Sequence, residues 1–163
     1  MSSFKINKKF SLIIIPCYSF ELLMTKDQQN SCIEKIYQHL NNDGIFIFNL
    51  FCADTQIDEL WDKTKDIKLK GVDQQTNNLV RTTIKKRFID KEKQLLYLEL
   101  ACQVATENKD IFPYTEKLTL KYYYREEIKE LVKFHGFKIV EEFGGFDERR
   151  VEEGSDILLV CSK

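Results

Sequence analysis

The sequence predicts an α/β fold, namely part of a doubly wound sheet with an inserted antiparallel β-meander. Three observations support this class. The chain opens with an apolar run, a helical pattern and a second apolar run; its middle alternates apolar and polar residues; and its last third returns to a helix followed by two apolar runs. Strand, helix and strand over about 40 residues predict a βαβ unit with a right-handed crossover.

The first βαβ unit occupies the first third of the chain. Phe10-Ser-Leu-Ile-Ile-Ile15, closed by Pro16, is short and rich in β-branched residues, which is typical of a parallel strand buried on both faces. Thr25-Lys-Asp-Gln28 has the pattern of a capping box at a helix start. The helix is expected to end at Asn41-Asn-Asp-Gly44, because Asn and Gly tolerate the left-handed conformation. Ile45 to Phe51 is the second buried strand.

The middle of the chain has the pattern of one-sided strands. Apolar and polar residues alternate from Val80 to Phe88 and from Leu96 to Val104, and a third strand is expected from Glu116 to Tyr124, after a loop that contains Pro113. This period of two predicts an antiparallel meander with one packed and one polar face. A short helix is expected between Asp54 and Lys65.

The last third follows the logic of the first. A helix is expected to open at Arg125-Glu-Glu, because acidic residues in a first turn interact favourably with the helix dipole, and to end at Gly136. Two closing strands follow, from Phe137 to Phe143 and from Asp156 to Cys161.

Length and charge indicate a single packed domain that does not bind nucleic acid. The chain has 163 residues, 43% of them hydrophobic, which is enough for one packed domain. We expect that domain to have an α/β core in residues 1–53 and 122–163 and an antiparallel insertion in residues 66–121. The formal net charge is −1 and there is no polybasic arm, so nucleic acid is not expected as a partner.

The cysteines indicate a reducing compartment. Five of them are widely spaced, with no C-x-x-C pair, which favours neither a zinc site nor a disulfide framework. The longest apolar run near the start is too short to cross a membrane and lacks the layout of a signal peptide. We therefore expect a cytoplasmic protein with no metal site and no membrane partner.

Four passages, in order along the chain, carry the pattern of a known family. They are Phe10 to Phe20, Leu40 to Asn49, Tyr122 to Leu131 with His135 to Val140, and Ser155 to Lys163. These passages resemble the fourth to seventh strands, with their loops, of class I S-adenosylmethionine-dependent methyltransferases that act on small molecules. The resemblance implies a Rossmann-like methyltransferase sheet in the order 4-5-7-6 of the family's strands, with the last strand antiparallel.

The family pattern is incomplete in this sequence. The family holds S-adenosylmethionine with a Gly-x-Gly loop after its first strand and an acidic residue at the end of its second. The 163 residues contain neither feature ahead of Phe10. By this resemblance we expect the carboxyl-terminal half of such an enzyme, a truncated domain that is inactive alone and does not bind the cofactor by itself. A truncated gene, a split gene and a deliberately shortened piece of a longer protein all fit this pattern.

The loop after the first strand is the expected cofactor contact. In open α/β sheets, ligands bind at the carboxyl ends of the strands. By the resemblance, the methionine part of S-adenosylmethionine would be lined by Cys17, Tyr18, Ser19 and Phe20. An ordinary strand-to-helix connection is the alternative interpretation of these residues.

A second group of residues is expected to face the methyl acceptor. By the resemblance, the group consists of Asn49, Phe51, Tyr122, Tyr124 and Arg125. The guanidinium of Arg125 would suit a carboxylate on the substrate. The alternative for this group is a set of core aromatic residues with an exposed arginine. No catalytic residue is assigned, because methyl transfer from a sulfonium needs mainly in-line positioning.

The sequence is compatible with three alternative functions. The first is a methyltransferase acting on a small-molecule acceptor, and the second is a non-catalytic interaction or regulatory module derived from one. An unrelated α+β binding domain is the third. In the family, the fourth strand pairs with a first strand that has no counterpart here, so its outer edge is expected to be exposed. We therefore expect a homodimer, through that edge or the insertion, or a separate amino-terminal half as partner.

Overall fold

The chain forms two compact units, each built on one four-stranded sheet. The computed structural model describes residues 3–54, 68–106, 111–154 and 156–163. The first unit comprises Met1–Ile57 and Lys121–Lys163, and the second comprises Asp58–Leu120. Parallel and antiparallel strands are both present, with helices beside the first sheet, so the predicted α/β class with an inserted antiparallel sheet is confirmed.

The regular elements follow one another in the order expected for the core and the insertion. In chain order they are β1 (Phe10–Ile15), α1 (Lys26–His39), β2 (Leu40–Phe51), β3 (Lys68–Val72), β4 (Leu79–Asp90), β5 (Leu95–Ala105), β6 (Ile111–Lys121), α2 (Arg125–Phe134), β7 (Lys138–Phe143) and β8 (Asp156–Ser162). In the described part of the chain, two short 3-10 helices, Ser19–Leu22 and Val151–Glu153, precede α1 and β8 respectively.

The first sheet has the strand order β1-β2-β8-β7. β2 runs parallel to β1, whereas β8 runs antiparallel to both β2 and β7. This arrangement confirms the order implied by the resemblance, including the antiparallel last strand.

β1 is an edge strand of this sheet. Ile13 and Ile15 pack toward the core, whereas Leu12 and Ile14 on the opposite face are 49% and 52% exposed. The predicted strand is confirmed, but the prediction that it is buried on both faces is wrong. No described element covers the face that carries Leu12 and Ile14.

α1 begins as predicted and ends differently. The Thr25 hydroxyl accepts a hydrogen bond from the Gln28 N–H, and the Gln28 side-chain oxygen accepts one from the Thr25 N–H, both at 3.2 Å. The predicted left-handed stop at residues 41–44 is wrong, because β2 already begins at Leu40 and none of these residues has a positive φ. Gly44 is needed for space instead, since a Cβ there would lie 2.8 Å from Cδ2 of Leu40.

The core of the first unit is aromatic at its centre. The rings of Phe46 and Phe48 on β2 stack with their centroids 4.6 Å apart. Aliphatic residues of α1, α2 and β8 surround them, including Ile33, Ile36, Ile128, Val132 and Leu159. α2 ends at the predicted glycine, Gly136, which has a φ of 91°.

The second unit is the predicted meander with one additional strand. Its order is β3-β4-β5-β6, and the β3–β4 and β4–β5 pairs are antiparallel. β3 was not predicted, because Lys68-Leu-Lys-Gly-Val72 is short and contains a glycine.

The strand predicted from Glu116 to Tyr124 is β6, which begins earlier, at Ile111, and ends sooner, at Lys121. Pro113 lies inside β6 rather than in a loop, and a proline is tolerated there because β6 is an edge strand. The helix predicted from Asp54 to Lys65 falls outside the described residues except for Asp54.

Candidate functional site at the carboxyl ends of the parallel strands

The carboxyl ends of β1 and β2 lie side by side because these strands are parallel. β8 starts at the same edge, since its first residue, Asp156, is paired with Phe51. The segment before α2 reaches the edge as well, through a parallel bridge between Tyr123 and Cys52. This edge therefore gathers side chains from four separate parts of the chain, at the place where open α/β sheets bind ligands.

The loop after β1 is held in an unusual conformation. Cys17 and Tyr18 are consecutive non-glycine residues with φ values of 56°, a conformation that costs about 1–2 kcal/mol per residue. The Ser19 hydroxyl fastens the turn by donating to the carbonyl of Pro16 at 2.7 Å. The turn leaves Cys17 exposed and carries Phe20 into the core. Strain of this kind clusters at ligand-binding sites.

Tyr18 connects this loop to the start of β8. Its hydroxyl lies 3.0 Å from both carboxylate oxygens of Asp156, to which it donates. Partial burial, reinforced by the negative charge of Asp156, raises the pKa of Tyr18 to about 12. The phenol therefore stays protonated at neutral pH and remains a donor.

Glu21 is a buried carboxyl group at this edge. Its side chain is 1% exposed, and Oε1 accepts a hydrogen bond from the Phe51 N–H at 2.6 Å. Burial raises the pKa of Glu21 to about 8, with a further contribution from Asp156 and against the opposing effect of the Phe51 hydrogen bond. Glu21 thus carries its proton over part of the neutral range while it holds the end of β2.

Asn49 lies between the loop and the sheet, and it is also 1% exposed. Its side-chain oxygen is 3.5 Å from the backbone nitrogen of Tyr18, which is a long contact. Its Nδ2 has no hydrogen-bond partner within the described part of the chain. Because an unpartnered buried donor is costly, this amide is a group that a ligand at the edge could satisfy.

Aromatic side chains form the floor beneath these polar groups. Phe20 lies with its ring centroid 5.6 Å from that of Phe48 and 5.7 Å from that of Tyr123. Tyr123 is buried, and burial raises its pKa above the ordinary range of a tyrosine. The loop therefore rests on a packed surface, which favours one fixed position of its polar groups.

The residues expected near the acceptor differ in where the structure places them. Asn49 and Phe51 lie at the edge itself, whereas Tyr122 is buried in the segment before α2. The Tyr124 ring is partly exposed and meets the Tyr122 ring edge-on, with their centroids 6.0 Å apart.

Arg125 is held by carboxylates of its own chain. Its Nε donates to Glu142 at 2.5 Å and one terminal nitrogen donates to Glu152 at 3.0 Å. Its backbone N–H donates to Asp54 at 3.0 Å. The hydrogen bond and charge of Glu142 raise the pKa of Arg125 above its ordinary value. Its proposed contact with a substrate carboxylate stays a prediction, and that contact would have to compete with these two ion pairs.

Glu21 and Asp156 belong to the site although no sequence pattern marks them as site residues. Glu21 directly follows the predicted loop residue Phe20, so the sequence could predict its position near the site. The sequence could not predict that its side chain is buried. From the sequence, Asp156 could be predicted only as the first residue of a strand.

Among the residues that the structure describes, no three His, Cys, Asp or Glu side chains are grouped so that they could hold a metal ion. None of the described helices is long and apolar enough to cross a membrane.

Solved structures share this arrangement of strands. An S-adenosylmethionine-dependent methyltransferase from Clostridium acetobutylicum matches 99% of the chain with a TM-score of 0.75 and 18% identity. DesVI from Streptomyces venezuelae matches 98% with a TM-score of 0.73 and 15% identity, and the sugar N-methyltransferase KedS8 from Streptoalloteichus matches 99% with a TM-score of 0.70 and 11% identity.

The match covers nearly all of this chain but only part of each solved structure. The chain spans 61% of the Clostridium structure, 61% of DesVI and 59% of KedS8. No protein-family model matches the sequence, and no curated protein matches it. The structural likenesses show that the chain has the fold of class I S-adenosylmethionine-dependent methyltransferases, so the unrelated α+β domain considered from the sequence is excluded.

Proposed function

We propose that this chain forms the acceptor-binding side of an S-adenosylmethionine-dependent methyltransferase for a small molecule. One observation carries the proposal: in a methyltransferase fold, the strained loop Cys17–Tyr18, the buried amide of Asn49 and the carboxyl of Glu21 meet at the ligand-binding edge. The solved structures with this fold include a sugar N-methyltransferase and an amino pentose methyltransferase, which supports a small-molecule acceptor.

The residues of this chain fit only part of the cofactor. The exposed thiol of Cys17, the phenol of Tyr18 and the hydroxyl of Ser19 could contact its methionine part, whereas the ring of Phe20 is fully buried and would support this loop from beneath. The sequence has no Gly-x-Gly pattern, so the backbone cradle for the rest must come from residues other than these. When bound, S-adenosylmethionine would supply the methyl group.

The chain's own residues would orient the acceptor and keep water out. Phe51 and Tyr124 offer apolar surface beside the edge, the fully buried Tyr122 would support Tyr124 from beneath, and Nδ2 of Asn49 offers a donor. Tyr18 and Glu21 would act as positioning residues, because each ties the loop to a different strand of the same edge. Fixed positions of this kind are what methyl transfer requires.

We further propose that the chain is inactive by itself and works in the cytoplasm. Completion would come from an amino-terminal half or from a second copy of the chain, through the exposed edge of β1 or through the inserted sheet. The reducing location is supported by the cysteines: all five lie in the described residues, none forms a disulfide, and four are buried.

The test is a methyl-transfer assay with labelled S-adenosylmethionine and a panel of small amines and amino sugars. The 163-residue chain should transfer nothing. A Gly-x-Gly segment, sought in the same reading frame ahead of Met1 or in a neighbouring gene, should restore transfer when it is co-expressed. Transfer by the chain alone would contradict its proposed incompleteness, and absence of transfer from a completed, folded complex would contradict the proposed activity.

The second candidate is a non-catalytic interaction module. It is favoured by the half-exposed Leu12 and Ile14 on an edge strand and by the pairing of Arg125 within the chain. Exposed apolar edges commonly pair with another chain. A stable complex that retains no S-adenosylmethionine would favour this candidate.

A further inference from the structure

A pocket lies at the opposite end of the first sheet from the site described above. It is open to solvent, has a volume of about 520 Å³ and is lined by the segment that leads into β1 and by the last turns of α1. Four lysines line it: Lys5, Lys8, Lys9 and Lys35. We call it the lysine pocket.

The lysine pocket has one acid close by, because the Glu34 carboxylate accepts a hydrogen bond at 2.9 Å from Nε2 of Gln38, which lines the pocket. In the part of the chain that the structure describes, no carboxylate forms an ion pair with any of the four ammonium groups. Lys35 instead donates to the amide oxygen of Gln38 at 3.3 Å, and the ammonium of Lys8 lies 5.7 Å from the centroid of the Phe10 ring. Since the whole chain has a net charge of −1, this is a local concentration of positive charge.

The wall of the lysine pocket is fixed by a buried histidine. Nδ1 of His39 lies 2.7 Å from the carbonyl oxygen of Lys35, and Nε2 lies 3.1 Å from the backbone nitrogen of Ile6. Because Nε2 must accept from the Ile6 N–H, Nδ1 carries the proton and donates to Lys35. The Phe4 ring packs against the imidazole at a centroid distance of 4.7 Å. His39 thus ties the entering segment to α1.

The end of α1 does not cancel the charge of the lysine pocket. A helix carboxyl terminus is a negative pole and would oppose an anion. Here the carbonyl of Lys35 is bound by His39, and those of Tyr37 and Leu40 accept from the Lys163 ammonium at 2.7 and 3.0 Å. Burial, and after it the charge of Lys9, lowers the pKa of Lys163, which is consistent with a crowded positive region.

We propose that the lysine pocket binds a small anion that carries phosphate groups. Lysine is a point-charge ligand for phosphate, and a cavity of this volume holds a compact metabolite. The site lies at the amino-terminal end of β1, so it does not depend on the methyl-acceptor site at the other end of that strand.

The test is a titration of the 163-residue chain with inorganic pyrophosphate, followed by amide chemical shifts. The expected result is saturable binding, with shifts confined to residues 4–9 and 35–39. The double variant Lys5→Gln/Lys9→Gln removes two exposed side chains for which the structure shows no hydrogen bond, so the fold should be kept. It should weaken binding at least about tenfold, because each lost ammonium removes a direct charge contact with the anion.

The matched control is Lys133→Gln/Lys138→Gln, which removes the same charge from α2 and β7. This control should bind pyrophosphate as the unaltered chain does. Absence of saturation, or equal weakening in both double variants, would overturn the proposal. Binding of a single-stranded oligonucleotide without binding of pyrophosphate would also overturn it, because that result would indicate an extended nucleic acid surface.

Discussion

At the scale of single residues, the candidate site depends on groups placed where their chemistry is unfavourable. Glu21 is a carboxyl without access to water, and Cys17 and Tyr18 adopt a conformation that side chains disfavour. Folded proteins retain such features when the surrounding structure over-determines them, as the contacts to Phe51, Pro16 and Asp156 do here. Both features give measurable signatures.

Glu21→Gln should flatten the dependence of stability on pH. The pKa of this carboxyl is about 8 in the folded chain, against about 4.5 for a glutamate exposed to water, so the folded state holds the proton more tightly. The unaltered chain should therefore lose stability as the pH rises from about 4.5 to about 8, by up to about 1.4 kcal/mol per pH unit. Glutamine keeps the acceptor for the Phe51 N–H and does not titrate. Urea unfolding at pH 5, 6.5 and 8 measures the difference.

The control is Glu141→Gln, at an exposed position on β7, which should leave the pH dependence unchanged. An equal loss of stability toward pH 8 in the unaltered chain and in Glu21→Gln would show that Glu21 does not cause it.

Cys17→Gly should give a more stable protein than Cys17→Ala, by about 1 kcal/mol, because only glycine adopts the left-handed conformation without strain. Equilibrium urea unfolding of the two variants checks this. The same pair of substitutions at Glu34, an exposed position inside α1, should show the reverse order, since glycine destabilises a helix interior by about 1 kcal/mol relative to alanine. If alanine is the better residue at both positions, the loop is not strained as described.

At the scale of elements, the closing strands depend on two glycines that touch. Gly144 follows β7 and Gly154 precedes β8, and a Cβ on Gly154 would lie 1.9 Å from the carbonyl oxygen of Gly144. The backbone must therefore approach itself at this point, which brings Asp156 to the start of β8 and to the candidate site.

Gly154→Ala should destabilise the first unit by about 2 kcal/mol or more, because the methyl group meets backbone that has to move. Near-ultraviolet circular dichroism during urea unfolding follows the change. Gly71→Ala in β3 is the comparison, since a Cβ there has no atom within 4 Å and should change stability by less than about 0.5 kcal/mol. A Gly154→Ala protein as stable as the unaltered one would contradict the close contact.

Most elements could be predicted from the sequence because their signals are local. The capping residues of α1 and Gly136 at the end of α2 act within one turn. β3 was missed because five residues with a central glycine carry little periodic signal. The left-handed stop at residues 41–44 was wrong because pairing with β1 draws Leu40 directly into a strand.

At the scale of the whole molecule, strand order predicts where the candidate site lies but does not predict all of the residues that form it. The carboxyl ends of parallel strands meet, so the loop at Cys17–Phe20 and Asn49 were predictable as neighbours. Asp156 joins them only because β8 is antiparallel and starts at that edge. The pairing of Arg125 with Glu142 and Glu152 depends on contacts across the fold, which no local pattern reveals.

We propose that the edge formed by Cys17–Glu21 and Asn49–Phe51 faces the cofactor and acceptor, whereas the grip on the cofactor lies in residues other than these. The most direct measurement is a titration of the isotopically labelled chain with S-adenosylmethionine, followed by amide chemical shifts. We expect no saturation at micromolar concentrations, and weak shifts at millimolar concentrations confined to residues 17–21 and 49–52. Saturation at micromolar concentrations, or shifts only at residues away from this edge, would contradict it.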